Sequence, residues 1–478
     1  MDPENPNPAL RFKNFVLDIP AHPTDPEGYG DLFCSGHAWT YDGRLFVAGG
    51  TRYSTPTQQI PSNQRWGNEL AYLYDPSAGP DGTWWKQADL ADWRWYPTVT
   101  ALGNDNLHSP QRPRLLVFGG TRIVDITGAP RNPADPSMNT YESFVPPPPA
   151  FTNGAFELLP VRQFPGPRYQ TPLNSPLDLY PRMFLLSDGN VFMAGMWPLS
   201  AWVDHVNAPG VWPCVTSTVC DPPNVANALK QYASCVLMPT SAFDAGDVVL
   251  TTGGAFGSPW GPRRDVESFA TADPQGLEPA WTAGPQMNLF RDSHNAVILP
   301  DASVFVHGGG GLAVRYAEIF KDGVWTVGTG SNFEASVRAY HATAVLLPSG
   351  RVLSAGADLR FFDYQVYEPP YIWCNQPRPV WVSSPATLSH GANYTVTYQP
   401  LPLGVTVQKV VLMAPASITH HTDMHQRYIE MLPATSDTPG FGFQVPTNRN
   451  KLPPGYYMMF LVTNGRVPSE ARFVQVTS

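Results

Sequence analysis

Short apolar runs, each broken by a turn and closed by glycine, recur along the chain. The clearest stretch is RAYHATAVLLPSGRVLSAGA, from Arg338 to Ala357. Val345, Leu346 and Leu347 read as one strand, Pro348-Ser349-Gly350 as a turn, and Val352 to Ala355 as the returning strand. Tyr340 and His341 open the first of these strands. Six such segments end at Gly50, Gly120, Gly195, Gly254, Gly309 and Gly356. Most are followed by a second strand pair: AYLYDP with TWWKQADL, NTYESFVP with AFELLP, VESFAT with AWTAGP, and AEIFKDG with VWTVG. Four strands per unit with a glycine stop after the second describe the kelch-type blade of a β-propeller.

The pattern predicts an all-β chain with a propeller of about seven blades over residues 1–375. Only 33 residues precede Cys34. There RFKNFVLDI supplies one outer strand of a further blade, so the ring is either incomplete or closed by strands without a recognisable pattern. An incomplete blade exposes strand edges, which predicts either dimerisation through that edge or a ring of fewer than seven blades. After Trp373 the texture shifts to alternating strands separated by Pro and Gly turns, as in PRPVWVSSPATLSHGANYTVTYQP and GYYMMFLVTNGRVPSEARFVQV. Residues 376–478 therefore read as an immunoglobulin-like sandwich.

Composition narrows the partners. Of 478 residues, 42% are hydrophobic and 14% charged, with a net charge of −9. That balance speaks against nucleic acid or an anionic membrane surface as a partner. No apolar run reaches the ~20 residues of a membrane span. The start, MDPENPNPAL, lacks the basic and apolar segments of a signal peptide, so either the chain is not exported or a leader has been removed. Five cysteines leave at least one unpaired. Cys214 and Cys220 share a loop and could bridge, as an oxidising compartment would allow. Cys235 reads as a small buried hydrophobe. Asn393-Tyr394-Thr395 is a lone glycosylation triplet.

Several motifs together resemble the copper-radical oxidases, the galactose oxidase and glyoxal oxidase family. They are FCSG at Phe33–Gly36, RWYPTV at Arg94–Val99, RAYHATAVLLPSGRVL at Arg338–Leu353, VYEPPYIW at Val366–Trp373, ITHHTDMHQR at Ile418–Arg427 and LPPGYYMMFLV at Leu452–Val462. RWY, NTYESF and LYPRMFLLSDGNVFMAG resemble the glyoxal oxidase branch more closely. The resemblance implies one mononuclear copper held by Tyr96, Tyr340, His341 and His420. The last of these lies on a loop that the C-terminal domain threads down the propeller axis. It also implies a thioether between Cys34 and Tyr96 that carries a radical, with Tyr96, Cys34 and Tyr340 catalytic and Tyr340 the general base. Two imidazoles with phenolate and solvent oxygens suit tetragonal Cu(II). Oxidising an alcohol takes two electrons, of which copper moves one and a tyrosyl radical the other.

The implied reaction is oxidation of primary alcohols or hydrated aldehydes by dioxygen, giving hydrogen peroxide, in a secreted or extracytoplasmic protein. The substrate is then a small alcohol or aldehyde. Where the family's galactose-binding arginine stands, this chain has Pro176, so sugar recognition is not implied. The loop after Gly120 has no tryptophan to stack on the radical, which leaves Trp39, Trp95 or Trp197. His421 and His425 read as solvated or supporting residues. Two other classes compete: a non-catalytic propeller that binds glycans or protein partners with a vestigial copper site, and a hydrolase using paired carboxylates. No motif places such a carboxylate pair.

Overall fold

A computed structural model of the chain describes residues 30–477, apart from 55–58, 63, 105–111, 126–139, 150–161, 164–178, 195–200, 204–231, 242–245, 257–260, 272–280, 311–313, 329–332, 358–362 and 435–439. The architecture is all-β, with one short helix, Pro370–Trp373, among the described residues. Among the described residues, six antiparallel sheets form the propeller part. The first comprises Gly36–Trp39, Leu45–Ala48, Ala71–Asp75 and Thr83–Lys86; the second Trp95–Ala101, Leu115–Thr121, Thr140–Phe144 and Arg162–Gln163. The third comprises Arg182–Leu185, Val191–Ala194 and Ala201–Val203; the fourth Ser234–Leu237, Val248–Thr252, Val266–Ala270 and Trp281–Ala283. The fifth comprises Asn295–Ile298, Val304–His307, Glu318–Lys321 and Val324–Val327; the sixth Thr343–Leu346, Val352–Ala355 and Tyr364–Tyr367. This is the kelch-type order, each strand pairing with the next in sequence.

Details differ from the sequence reading. The first strand of the sixth sheet is Thr343–Leu346, so Tyr340 and His341 lie in the turn before it rather than in the strand. The segment AFELLP and the N-terminal RFKNFVLDI lie outside the described residues, and Thr140–Phe144 pairs with Arg162–Gln163. Loops after the first two hairpins build a small extra sheet from Gly30–Asp31, Thr51–Arg52, Gln64–Gly67 and Ile123–Asp125. Cys235 is half-buried, its thiol 3.5 Å from the Thr251 hydroxyl, rather than fully interior. Its position next to the core on an inner strand leaves one edge open.

The double glycines join neighbouring blades. The amides of Gly50, Gly254 and Gly309 donate to the carbonyls of Arg94, Arg291 and Arg338, each at the start of the following blade, at 2.9, 2.8 and 2.8 Å. Gly49 and Gly308 have φ of +73° and +76°, and a Cβ on either would run into that same arginine carbonyl. The arginine side chains then reach into their own blades. Arg94 donates to Gly119 O at 2.6 Å and to Glu142 at 2.9 Å, and Arg291 to Gly308 O at 2.6 Å and to Glu318 at 3.1 Å. Arg338 repeats the arrangement with Gly356 O at 2.9 Å and Asp363 at 3.1 Å. A buried guanidinium is tolerable because its donors are matched by carboxylate and carbonyl acceptors.

The C-terminal residues form a sandwich. One sheet holds Trp381–Ser383, Asn393–Tyr398, Phe441–Gln444 and Leu432–Ala434. The other orders Thr387–Ser389, Arg472–Thr477, Gly455–Thr463, Val407–Met413 and Tyr428–Glu430, and is extended by Thr240–Ser241 from the fourth propeller unit. Strand alternation explains the long apolar run YYMMFLV. Tyr457, Met459 and Leu461 enter the sandwich core, while Met458, Phe460 and Val462 pack with propeller residues Ile298, Val304 and Val306. Val411 and Met413 do the same from the neighbouring strand. Burial of each such side chain contributes about 1.5–3 kcal/mol, so the sandwich is welded to the propeller and the loops between its strands are aimed rigidly.

The buried arginine pairs should dominate surface ones in stability. Removing one partner of a buried pair costs about 3–5 kcal/mol. Glu318→Ala, which strands Arg291 and the Asn288 and Leu289 amides, should lower the unfolding free energy by about that amount. Asp322→Ala, which removes an exposed pair with Arg466, should leave the denaturation midpoint unmoved. Equal midpoints for the two variants would contradict this.

Candidate metal and radical centre

In five of the six described blades the innermost strand is led in by one residue in a left-handed conformation. Cys34, Tyr180, Tyr232 and Ser293 stand two positions before their strands, with φ of +67°, +48°, +59° and +52°. Tyr96, with φ +64°, is the equivalent in the second blade, where it drops out of the ladder between the Trp95–Thr121 and Pro97–Gly119 pairs. Left-handed backbone costs a side-chain-bearing residue roughly 1–2 kcal/mol. Here each costly turn is held by its neighbour. Tyr96 N–H donates to Cys34 O at 3.0 Å, Tyr180 N–H to Tyr96 O at 2.7 Å, and Ser293 N–H to Tyr232 O at 2.8 Å. The turns aim Cys34, Tyr96 and Tyr180 at one place near the axis.

From the other domain, the loop Ala414–Arg427 enters the propeller. Its short hairpin, Ile418–Thr419 with Thr422–Asp423, carries His420 and His421 at its tip, both left-handed at φ +45° and +56°. Ser417 anchors the loop to the first blade by donating to His37 O at 2.9 Å, with His37 Nδ1 at 2.6 Å from the same hydroxyl. The His420 ring then lies 4.6 Å from that of Tyr96, 5.0 Å from Tyr340 and 4.5 Å from His341. Its Nε2 is 3.8 Å from Cys34 Sγ. All five residues singled out by motif therefore converge: Cys34, Tyr96 and His420 buried, Tyr340 half-buried and His341 exposed.

The donor set suits a cation of nitrogen and oxygen preference. Among the described residues no three His, Cys, Asp or Glu side chains gather to hold a metal, so a metal here needs the phenols. Burial holds the His420 imidazole well below its ordinary range and therefore neutral, with Nδ1 2.7 Å from the Thr419 hydroxyl. Burial also pushes the Tyr96 and Tyr340 phenols well above theirs, with the Tyr340 charge adding to the cost at Tyr96. The Cys34 thiol, beside the Tyr96 phenol, is raised to about 12 by burial. A bound cation would supply the positive charge these phenolates lack. Arg182 stands nearby, donating through Nη2 to His421 Nε2 at 2.9 Å and to Ala233 O at 3.0 Å. A guanidinium only donates, so His421 accepts at that nitrogen and stays neutral. His421 is thus a buried brace rather than a solvated residue.

Comparison with known proteins bears on the family and the fold. Residues 378–476 match the family model for the early set domain of galactose oxidase-like proteins. A galactose oxidase of Gibberella zeae is 27% identical over 205 residues, covering 39% of this chain and 29% of that protein. The chain thus spans under a third of that relative's length. The aldehyde oxidase GLOX1 of Arabidopsis thaliana is 24% identical over 495 residues, covering 93% of this chain and 71% of that one. In sequence and fold the chain is similar to the copper-radical oxidases, the galactose oxidase and glyoxal oxidase family. A solved fungal alcohol oxidase of the AA5 family, in complex with copper, shares the fold, with a TM-score of 0.69, 21% identity and coverage of 94% and 86%.

The partner that stacks on Tyr96 is resolved by geometry. Trp95 lies on the Tyr96 ring at 3.9 Å and 19°, its Nε1–H donating to Thr51 Oγ1 at 3.2 Å. Trp39 instead donates to Ala416 O at 3.1 Å, and Trp197 and Pro176 lie outside the described residues, as do Cys214 and Cys220. His425 lines a small cavity of about 30 Å³ with Asp423 and Arg427. Sequence reasoning missed Tyr180 and Tyr232. The signal was available, since both precede their hairpins by the same two residues as Cys34.

Loop anchoring should depend on pH through His37. Burial lowers its imidazole to about 4, against ~6.5 in an unfolded chain. Between those values the unfolded chain binds the extra proton, so stability falls as pH drops through this window. Melting temperatures of copper-free protein should decline from pH 7 to 4, and His37→Gln should make the decline shallower. An unchanged slope in the variant would count against this anchor.

Proposed function

We propose that the protein is a copper-dependent oxidase that converts primary alcohols or hydrated aldehydes to aldehydes or carboxylic acids, with dioxygen as acceptor and hydrogen peroxide as product. The observation that carries the reading is the arrival of His420, from a different domain, among Tyr96, Tyr340 and His341. A packing role alone would not need two imidazoles and two phenols at one partly open point. In this reading Tyr96, Tyr340, His341 and His420 hold one copper, and a Cys34–Tyr96 thioether carries the radical. Copper, when bound, would supply a one-electron couple and an open position for the substrate oxygen. Tyr340, half-buried, takes the substrate's hydroxyl proton. The oxidised Tyr96 takes a hydrogen atom from the substrate carbon. Dioxygen leaves with two electrons and two protons as hydrogen peroxide.

The rim supports a substrate class. Phe33 is 55% exposed, with its ring 5.6 Å from His341 and 6.0 Å from His420. Tyr232 stands edge-on to Tyr340 at 5.4 Å and 87°. An aromatic rim favours small apolar or aryl substrates over polyhydroxylated sugars, in keeping with Pro176 at the place of a sugar-binding arginine. The proposal includes the division into a catalytic propeller, 1–375, and a ligand-donating domain, 376–478. It also includes a secreted or extracytoplasmic location and a dimer formed through the edge of an incomplete blade. No helix among the described residues is long and apolar enough to cross a membrane.

The test is copper content together with peroxide release on methylglyoxal, glycerol, benzyl alcohol and galactose. Copper-dependent peroxide from the aldehyde or aryl alcohol, with galactose weakest, is expected. Phe33→Ala should raise KM for benzyl alcohol several-fold more than for methylglyoxal. Copper-loaded protein silent on the whole panel would overturn the oxidase reading, and a clear preference for galactose would overturn the substrate class.

A further inference from the structure

Tyr96 is covered on both faces. Trp95 lies on one, and Tyr180 is stacked at 4.5 Å and 18°. Tyr180 is 2% exposed, and three contacts fix it. Its amide donates to Tyr96 O at 2.7 Å, its hydroxyl donates to Ser35 O at 3.1 Å, and its ring lies 4.9 Å from that of His420. It therefore touches the backbone and ring of the radical residue, the neighbour of the cysteine, and the histidine delivered by the other domain. No motif used in assigning the centre includes it.

We propose that Tyr180 is a positioning residue that sandwiches the Tyr96 ring against Trp95 and stabilises the oxidised form of Tyr96. The inference rests on the copper-radical reading above. Oxidation of Tyr96 removes one electron, passed to the oxidant, and its phenolic proton, passed to solvent or base, leaving a neutral radical. An electron-deficient ring is stabilised by polarisable π faces on both sides. The two flanking rings do not compete for the hole. Loss of an electron from Tyr180 requires its phenolic proton to leave as well. That proton points at a backbone carbonyl, a group that accepts a hydrogen bond but holds no proton at neutral pH. Trp95 Nε1–H points at the Thr51 hydroxyl, whose own proton is directed to Phe33 O at 2.8 Å. The Tyr96 phenol, by contrast, shares a side-chain hydrogen bond with a second phenol, Tyr340, and has the Cys34 thiol beside it. The left-handed turn at Tyr180 is what brings its ring parallel to Tyr96, so the backbone cost of that turn is tied to this contact.

The experiment is a potentiometric titration of copper-loaded protein with ferricyanide and ferrocyanide, following the visible absorption of the radical. Three proteins are compared: the parent, Tyr180→Phe and Tyr180→Leu. Tyr180→Phe keeps the ring and should keep both the midpoint and the absorption envelope. Tyr180→Leu should bind copper at the same stoichiometry but hold about tenfold less radical at a fixed poise, a rise of ~59 mV for a one-electron couple. Its radical should also decay faster once oxidant is removed. A Tyr180→Leu protein with the parent's midpoint and spectrum would overturn the proposal, as would a Tyr180→Phe protein shifted as far as Tyr180→Leu. If Tyr180→Leu does not fold, Tyr180→Trp replaces it: a retained midpoint with a shifted envelope supports stacking, and an unchanged envelope overturns it. A parent protein that binds copper but develops no radical absorption would instead remove the reading on which the inference rests.

Discussion

The structure depends on one contact between domains: the loop from the C-terminal sandwich that enters the propeller and places His420 among residues of the blades. That contact explains features that look unrelated in isolation. The strand Gly455–Thr463 is apolar on both faces because it must serve the sandwich core and the propeller core together. The strand Thr240–Ser241 leaves its blade to pair with Tyr428–Glu430, directly after the loop. Ser417, His37 and Met424 then hold the loop against the first blade. A rigid weld is needed because a site assembled from two domains tolerates little relative motion.

Backbone strain is concentrated where chemistry is expected. Cys34, Tyr96, Tyr180, Tyr232, His420 and His421 all have positive φ, and all lie in or against the same cluster. Such conformations persist only when the surroundings over-determine them. Here the surroundings are the chain of amide-to-carbonyl bonds running from blade to blade and the double-glycine contacts with Arg94, Arg291 and Arg338. The propeller thus acts as a jig that holds several turns in one aligned state. The alignment allows flat contacts between Trp95, Tyr96 and Tyr180 that flexible loops would not keep.

Much of this was legible in the sequence. The hairpins could be read because their apolar strands alternate with a small set of turn residues, and the matched motifs carried Cys34, Tyr96, Tyr340, His341 and His420 directly. What was not legible were contacts set by three-dimensional closure. Tyr180 sits in no motif that names a ligand, and only the fold shows that its left-handed turn lays it over Tyr96. His421 read as either solvated or supporting, and only the contact with Arg182 of the third blade, made in the interior, decides for the second. Trp95 could not be preferred over Trp39 until the neighbours of each ring were known. Tyr340 and His341 read as strand residues because the apolar run masks where the ladder begins, and the turn geometry at Ala339–Ala342 decides it.

The account's central claim is that the cofactor is made from the protein's own side chains at the point where the two domains meet. The most direct measurement is the intact mass of copper- and oxygen-exposed protein, followed by tryptic mapping under reducing conditions. The account predicts a mass lower than the sequence by two hydrogens, unaffected by reductant. It also predicts a branched peptide joining the segment around Cys34 to that around Tyr96. A Cys34 thiol that alkylates quantitatively after unfolding, in protein whose mass matches its sequence, would contradict it.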